Sequence, residues 1–180
     1  MARDEDAMLV EACLRGDRHA FDELVDLYDG TLFSAAYRIT GSVEDAMDAT
    51  QNAFVNAYEK LHTFDPSYRF FSWIYRIAIN QSLNLVGRRR DQTAFDDDTP
   101  AAEPNPSEVF ESTEIRGHLK KALFELEPHY RTVIVLKHLD GFSYREISEL
   151  LDIPEKTVKS RLFTARQKLR VILTEQGFAP

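Results

Sequence analysis

The chain has 180 residues, a formal net charge of −8 and a hydrophobic fraction of 43%, values that fit an ordinary globular protein and exclude a fibrous or wholly disordered one. No apolar run reaches the roughly 20 residues that a membrane span needs, and the acidic start lacks the pattern of a secretory signal. The single cysteine, Cys13, excludes an intramolecular disulfide and a cysteine-based zinc site. We therefore expect a cytoplasmic protein without a metal or cofactor.

The first ninety residues have the spacing of a helical bundle. Apolar side chains recur at helical intervals, as at Phe21 and Leu24. Gly41 is placed to end one helix, and Ser42 with Asp45 resembles a capping box for the next. In such a box the Ser42 hydroxyl accepts from the Asp45 amide while the Asp45 carboxylate reaches back to the start of the helix. The pattern predicts an N-terminal helical domain.

A loop and an aromatic, cationic helix follow. Asp65 and Pro66 favour a loop over residues 63–69, and a helix is predicted from Ser72 to the end of the basic run at residues 88–90. Spaced three and four residues apart along one face of that helix are Trp73, Arg76, Asn80 and Asn84. Rings and cations together suit stacking on unpaired bases and holding their backbone. The alternative, core aromatics with incidental arginines, stays open at this point.

Residues 91–111 differ in composition from the rest of the chain. Three consecutive acids, Asp96, Asp97 and Asp98, are followed by Pro100, Pro104 and Pro106. Such a stretch neither sustains a helix nor buries much apolar surface. We therefore predict a flexible acidic linker between an N-terminal domain, residues 1–90, and a C-terminal domain, residues 112–180.

The C-terminal domain is predicted to hold four helices, two of which form a helix-turn-helix. Pro128 is placed to begin one helix and Gly141 to end it, while Ser143 and Glu146 form a second capping-box pattern. Asp152 occupies the turn, where Asp tolerates a left-handed backbone better than most residues do. The residues expected to form the small core of this motif are Ile147, Leu151, Ile153, Val158 and Leu162.

Charge is distributed unevenly along this acidic chain. Residues 61–90 contain five Lys and Arg against one acid, and residues 156–170 contain six bases and no acid. Basic islands of this kind are typical of phosphate contact. The side chains that would lie near base edges in a major groove are Lys156, Lys159, Ser160 and Phe163. The alternative is an ordinary solvated helix face.

Two segments resemble motifs of a known family. The segment FSWIYRIAINQSLNLVGRRR, residues 71–90, looks like the promoter-melting helix of bacterial sigma factors. The segment GFSYREISELLDIPEKTVKSRLFTARQKLR, residues 141–170, looks like their C-terminal helix-turn-helix. The order of the motifs and the linker are similar to the extracytoplasmic-function group of the sigma-70 family. The resemblance implies a factor that directs RNA polymerase core to promoters and initiates transcription in a stress or signal response.

The resemblance also implies roles for individual residues. Candidates for the polymerase clamp, in the segment DAMDATQNAF, are Asp48, Gln51 and Phe54. Candidates for the minus-ten element are Phe64, Tyr68, Arg69, Phe71, Trp73, Arg76, Asn80 and Arg88. Candidates for the minus-thirty-five element are Lys156, Thr157, Lys159, Ser160, Arg161, Phe163 and Arg166. The implied partners are polymerase core and promoter DNA, both duplex and melted, and an inhibitory anti-sigma protein is common in the family.

Two rival functions have less support in the sequence. A conventional helix-turn-helix regulator would bind duplex operators as a dimer without polymerase, and it leaves the constellation of residues 64–80 unexplained. An enzyme would need a convergent acid, base, nucleophile or metal cluster. The five histidines, which show no ligand spacing, are His19, His62, His118, His129 and His138. We therefore expect no catalytic activity and no metal site.

Overall fold

A computed structural model describes residues 2–93 and 113–177 of the chain. Both ranges are helical and contain no strand, which confirms the all-α prediction. Contacts divide the chain into two units, unit 1 within residues 1–100 and unit 2 within residues 101–180. Most of the predicted linker lies outside the described residues. Within the described ranges, no helix is both long enough and apolar enough to cross a membrane.

The described part of unit 1 is a bundle of four helices. Its elements are α1 (Ala2–Leu14), α2 (Arg18–Thr40), α3 (Val43–Lys60), a 3₁₀ turn (Leu61–Thr63) and α4 (Phe70–Thr93). Helices α2, α3 and α4 each pack against the other two, and α1 lies mainly across α2. The fully buried small residues of α3 are Ala46, Ala49, Ala53 and Ala57. Their size lets the helices approach closely, and one long face of α4 is left exposed.

Local capping sets the boundary between α2 and α3, with one departure from the prediction. Gly41 ends α2 with a φ of 76°, and the Ser42 hydroxyl accepts from the Asp45 N–H at 3.2 Å. The Ser42 N–H donates to Thr40 at 3.4 Å, while the Asp45 carboxylate accepts from Arg89 at 3.0 Å. The predicted reciprocal half of the capping box is therefore wrong. Asp45 instead ties the start of α3 to the end of α4.

Helix α4 is longer than predicted at both ends. It begins at Phe70, before the predicted start at Ser72, and it continues to Thr93. Residues 91–93 are therefore helical, which corrects the prediction that the flexible linker begins at residue 91. The reason is local, because the first proline after α4 is Pro100 and nothing before it forbids helical backbone.

The described part of unit 2 also contains four helices. Its elements are α5 (Thr113–Glu125), α6 (Pro128–Ile134), a π-helical turn (Val135–Leu139), α7 (Tyr144–Leu151) and α8 (Glu155–Glu175). Helix α8 packs against α5, α6 and α7. Pro128 begins α6 as predicted, and Gly141 follows the π-helical turn with a φ of 78°. The predicted four-helix arrangement of this region is confirmed.

Helices α7 and α8 form the predicted helix-turn-helix. At the start of α7, the Ser143 hydroxyl accepts from the Glu146 N–H at 3.2 Å, and the Glu146 carboxylate accepts from the Ser143 N–H at 2.8 Å. In the turn, Asp152 is left-handed with a φ of 53°. The Ser148 hydroxyl donates to the Ile153 carbonyl at 2.6 Å. Local hydrogen bonds therefore hold α7 at both ends.

Three of the five residues predicted for the core of this motif are buried, and Leu151 and Ile153 are the exceptions. Almost completely buried, as predicted, are Ile147, Val158 and Leu162. Leu150 takes the inner position that the sequence assigned to Leu151, since Leu150 is buried and Leu151 is half-buried. The two leucines lie three and four residues after Ile147, so both are on the side of α7 that carries Ile147. Helical periodicity alone therefore does not predict which of the two is buried. Ile153, in the turn, is half-buried.

The backbone at Asp152 gives a testable prediction for stability. The left-handed conformation costs an L-residue roughly 1–2 kcal/mol, and the cost is lowest for Gly and greater for a β-branched residue than for Asp. We expect Asp152→Gly to leave the free energy of unfolding within about 1 kcal/mol of the wild type, and Asp152→Val to lower it by about 1–2 kcal/mol. Urea unfolding followed by circular dichroism measures both. Equal stability of the two variants would contradict a turn that imposes this backbone.

Candidate nucleic-acid interfaces

The basic helix α8 presents its N-terminal turns to solvent. Among the minus-thirty-five candidates, the exposed residues are Lys156, Lys159, Ser160, Phe163 and Arg166, and the half-buried residues are Thr157 and Arg161. The Phe163 side chain is 62% exposed, so its ring is available for an apolar contact such as a thymine methyl group. The structure thus brings these candidates together on one helix, where a major groove could receive them.

Two lysines of α8 are held by neighbouring side chains. Lys159 lies 3.6 Å from the Glu155 carboxylate and 5.7 Å from the centre of the Tyr144 ring. Lys168 lies 2.9 Å from the Glu127 carboxylate, and this hydrogen bond raises the pKa of Lys168. Exposed pairs of this kind add little to stability. Their effect is to restrict the directions in which the two ammonium groups point, which the sequence did not predict.

Unit 1 carries the second candidate surface, on the loop of residues 64–69 and on α4. Among the minus-ten candidates, the exposed residues are Tyr68, Arg69, Arg76, Asn80 and Arg88, and the half-buried residues are Phe71 and Trp73. Tyr68 is 67% exposed. Arg76 and Asn80 lie four residues apart and so share one face of α4, and Arg88 is exposed about two turns further on. The polar stripe predicted along this helix is therefore exposed.

An aromatic cluster supports this surface from below. The centre of the Phe64 ring lies 5.8 Å from that of Phe70 and 5.3 Å from that of Trp73. Phe64 is only 9% exposed. Its ring is therefore mostly enclosed and supports Trp73, and a direct contact between Phe64 and the melted strand stays a prediction. Trp73 is half-buried, so part of its side chain remains at the surface. The core interpretation therefore fits Phe64, and the recognition interpretation fits Trp73.

A tight turn shapes the exposed part of the loop. The Asp65 carboxylate accepts from the Ser67 N–H at 2.9 Å, and this hydrogen bond to the backbone lowers the pKa of Asp65. The Tyr68 N–H donates to the Asp65 carbonyl at 3.1 Å. Tyr68 and Arg69 follow this turn as exposed residues, which leaves a ring and a cation side by side at the surface.

Helix α1 completes the surface, and the sequence did not predict this. The Tyr28 hydroxyl donates to the Asp6 carboxylate at 2.6 Å, and the Tyr28 ring centre lies 5.3 Å from that of Phe71. Burial, together with the Asp6 contact, raises the pKa of Tyr28 well above its usual value. A cavity of about 340 Å³ lies between α1 and the loop, with Asp6, Tyr68 and Arg69 among its lining residues. Asp6 stands in a run of acids, so nothing in the sequence marked it as buried.

The polymerase-clamp candidates on α3 fall into two groups. Asp48 and Gln51 are exposed. Phe54 is 7% exposed, and its ring centre lies 6.4 Å from that of Phe21 inside the bundle. Its ring therefore already packs against a core neighbour, and a direct contact between Phe54 and the polymerase clamp stays a prediction. Met47, which is 60% exposed, adds an apolar side chain beside Asp48 that the sequence did not single out.

Comparison with known proteins decides the family. The Sigma-70 region 2 model matches residues 24–92, and the Sigma-70, region 4 model matches residues 117–169. The chain is 33% identical over 168 residues to the ECF RNA polymerase sigma factor SigW of Bacillus subtilis, with 87% of this chain and 90% of that protein covered. It is 36% identical over 176 residues to the ECF RNA polymerase sigma-E factor of Escherichia coli K12, with 91% and 92% covered. The chain belongs to the extracytoplasmic-function (ECF) sigma factors.

Solved structures are similar to this ECF sigma factor over most of its length. CnrH, in a complex with the cytosolic domain of CnrY, matches with a TM-score of 0.68 and 27% identity over 95% of this chain and 98% of that one. The sigma factor RpoE of Bartonella quintana, solved with the anti-sigma factor NepR, matches with a TM-score of 0.67 and 23% identity over 86% and 96%. The second match supports the fold.

The two surfaces of this ECF sigma factor fall in different family regions. The exposed face of α8 lies within the region 4 match, while the loop and the exposed face of α4 lie within the region 2 match. Helix α1 precedes the region 2 match, which begins at residue 24. Asp6 of this helix nevertheless lines the cavity beside the loop, so the candidate surface in unit 1 includes residues that precede the region 2 match.

Proposed function

We propose that this ECF sigma factor directs bacterial RNA polymerase core to promoters with two sequence elements and acts through binding alone. One observation carries the proposal: a single chain bears two exposed surfaces of different chemistry, one on each unit. The basic helix-turn-helix in unit 2 suits duplex DNA. The rings and cations of unit 1 suit unpaired bases.

Unit 2 reads the minus-thirty-five element as duplex. Lys156 and Lys159 offer donors to base edges, and Phe163 offers an apolar contact. The Ser160 hydroxyl donates to the Thr157 carbonyl at 3.0 Å, so it offers an acceptor. Arg166, with the half-buried residues Thr157 and Arg161 and the N-terminus of α8, holds phosphates and sets the register. Base contacts supply the choice of promoter, whereas phosphate contacts supply much of the affinity.

Unit 1 holds the minus-ten element after its strands separate. Trp73 and Tyr68 offer rings for stacking, and Asn80 offers an amide that can pair with the edge of an unpaired base. The residues that hold the backbone of the melted strand are Arg69, Arg76 and Arg88, and Phe71 supports the stacking rings. Melting is favoured because only unpaired bases can occupy these positions.

Docking on the polymerase clamp uses the exposed residues of α3, Asp48 and Gln51, while the buried ring of Phe54 maintains the shape of that helix.

The net charge of −8 weakens attraction of the free protein to DNA. Polymerase raises the effective concentration of each surface at its own element by holding both units. Added salt weakens promoter binding because phosphate contacts release counterions.

Three further parts of the proposal follow from a sigma-factor role. The protein works in the cytoplasm, where polymerase and promoter DNA are found, and it catalyses no reaction because the chemistry belongs to the polymerase. An anti-sigma protein that covers the exposed surfaces would hold it inactive. The structural relative CnrH was solved with a protein segment, the cytosolic domain of CnrY, which supports looking for such a partner.

The rival function, a conventional helix-turn-helix regulator that never touches polymerase, is less favoured. It uses unit 2 alone and gives no role to the exposed rings and cations of unit 1. It also does not account for similarity to ECF sigma factors over about nine tenths of the chain.

Run-off transcription tests the proposal. Purified core polymerase is given a library of random upstream sequences, with and without this protein. Initiation that requires the protein and selects a two-part motif supports a sigma factor. An absence of stimulation, together with tight duplex binding by the protein alone, would replace it by the conventional regulator.

A further inference from the structure

The guanidinium of Arg166 is held by an imidazole. Its Nε and Nη2 lie 3.3 Å and 3.1 Å from Nε2 of His138, a residue 28 positions earlier, in the π-helical turn before α7. An arginine side chain has only donors. Nε2 of His138 must therefore accept, which requires a neutral ring with its proton on Nδ1. Lys159 and Lys168, by contrast, are held by carboxylates.

We propose that neutral His138 is a positioning residue that aims Arg166 at promoter duplex, and that protonation of His138 releases it. The inference rests on the proposed function and deepens it, because it adds His138, which acts through Arg166 and does not itself contact DNA. Nε2 contacts both the Nε and an Nη of the guanidinium, so it restricts the plane of the group as well as its position.

The surroundings of His138 make this contact sensitive to acid. Burial lowers the pKa of His138, and the charges of Arg166 on α8 and Lys137 on the same turn lower it further. From the segment before α7, the Phe142 carbonyl accepts from Lys137 at 3.1 Å. From the first residue of α7, the Tyr144 ring centre lies 5.0 Å from the Lys137 ammonium. Protonation removes the acceptor and adds a third positive charge. The contact is therefore present above the pKa of His138 and is lost as the pH falls through it.

Loss of the contact affects promoter choice more than overall DNA affinity. A protonated His138 adds a charge that attracts any duplex, whatever its sequence. A released Arg166 loses the fixed register from which neighbouring base contacts are made. The informative quantity is therefore the ratio of transcription from a matched minus-thirty-five element to transcription from a scrambled one.

The experiment compares wild type, His138→Gln, His138→Leu, Arg166→Ala and the His138→Leu/Arg166→Ala double variant, each as the full chain with core polymerase. Glutamine keeps an acceptor oxygen and does not titrate, whereas leucine offers no acceptor. We expect His138→Leu to lower the ratio by about two- to fivefold, as for one exposed hydrogen bond, and His138→Gln to keep it. As the pH falls from about 7.5 to about 5, a window that covers an imidazole whose pKa is lowered, the ratio should fall in wild type more than in His138→Gln.

Arg166→Ala supplies the remaining tests. In that background, His138→Leu should have no further effect, since coupled residues are not additive. By NMR titration without DNA, Arg166→Ala should raise the pKa of His138, because one neighbouring cation is gone. The positioning role is overturned if His138→Leu leaves the ratio unchanged, or if it lowers the ratio as much in the Arg166→Ala background as in wild type. It is also overturned if Arg166→Ala leaves the imidazole titration of His138 unchanged. A wild type that never discriminates between the templates overturns the proposed function as well, and the imidazole titration separates the two failures.

Discussion

Lys159→Ala should lower transcription from promoters with a matched minus-thirty-five element by about tenfold. A side chain that reads base edges contributes about 1–3 kcal/mol of discrimination. Lys159 is exposed near the start of α8, and the Glu155 carboxylate, 3.6 Å away, limits the positions of its ammonium group. Run-off transcription with core polymerase, on matched templates and on templates with a scrambled upstream element, measures the loss.

The control for this variant is Lys121→Ala. Lys121 is an exposed lysine on α5, so its removal changes the net charge of unit 2 equally but leaves α8 intact. It should reduce transcription slightly and to the same extent on both templates. The loss in Lys159→Ala should vanish on the scrambled template, where there is no base contact left to remove. An equal loss on both templates would assign Lys159 to phosphate attraction instead.

Asn80→Ala should lower formation of the open complex by about tenfold on promoters with a matched minus-ten element. An asparagine amide that pairs with a base edge contributes about 1–3 kcal/mol. Asn80 is exposed on α4, one turn after Arg76, and it belongs to the same candidate surface as Trp73 and Tyr68. Permanganate reactivity of unpaired thymines and abortive transcription both measure the open complex.

Asn84→Ala is the matched control for Asn80→Ala. Asn84 is an exposed amide on the same face of α4, one turn further on, and it belongs to the polar stripe but is not among the minus-ten candidates. We expect its replacement to cost less than about threefold, in line with an ordinary surface substitution. On a template whose minus-ten region is already unpaired, the Asn80→Ala loss should persist for the matched strand and disappear for a scrambled one. A loss that disappears on both unpaired templates would mean that Asn80 aids strand separation without reading a base.

Contacts between residues close together in the sequence are predicted well, and contacts between distant residues are not. Both capping-box bonds between Ser143 and Glu146, and the left-handed Asp152, were predicted because they involve residues within a few positions of one another. Helical periodicity also predicted that Arg76 and Asn80 share an exposed face. These features need no knowledge of how the helices pack.

The depth of the aromatic side chains could not be predicted in the same way. The sequence assigns Phe64 and Phe54 to contacts with partners. In the structure, Phe64 packs against Phe70 and Phe54 packs against Phe21. Aromatic side chains serve cores and recognition surfaces alike. Which role a ring takes depends on the neighbours that the fold supplies, and those neighbours come from other helices or from the far side of a loop.

The sequence by itself determined the all-α class, the capped ends of α7 and the basic face of α8, because local spacing and composition decide these features. Only the tertiary structure decided which polar groups are held in place across helices. The pairs are Asp45 with Arg89, Tyr28 with Asp6, and Arg166 with His138, separated by 44, 22 and 28 residues. Hydrogen bonds over such separations leave no periodic signal in a sequence, since the packing of whole helices brings the two partners together.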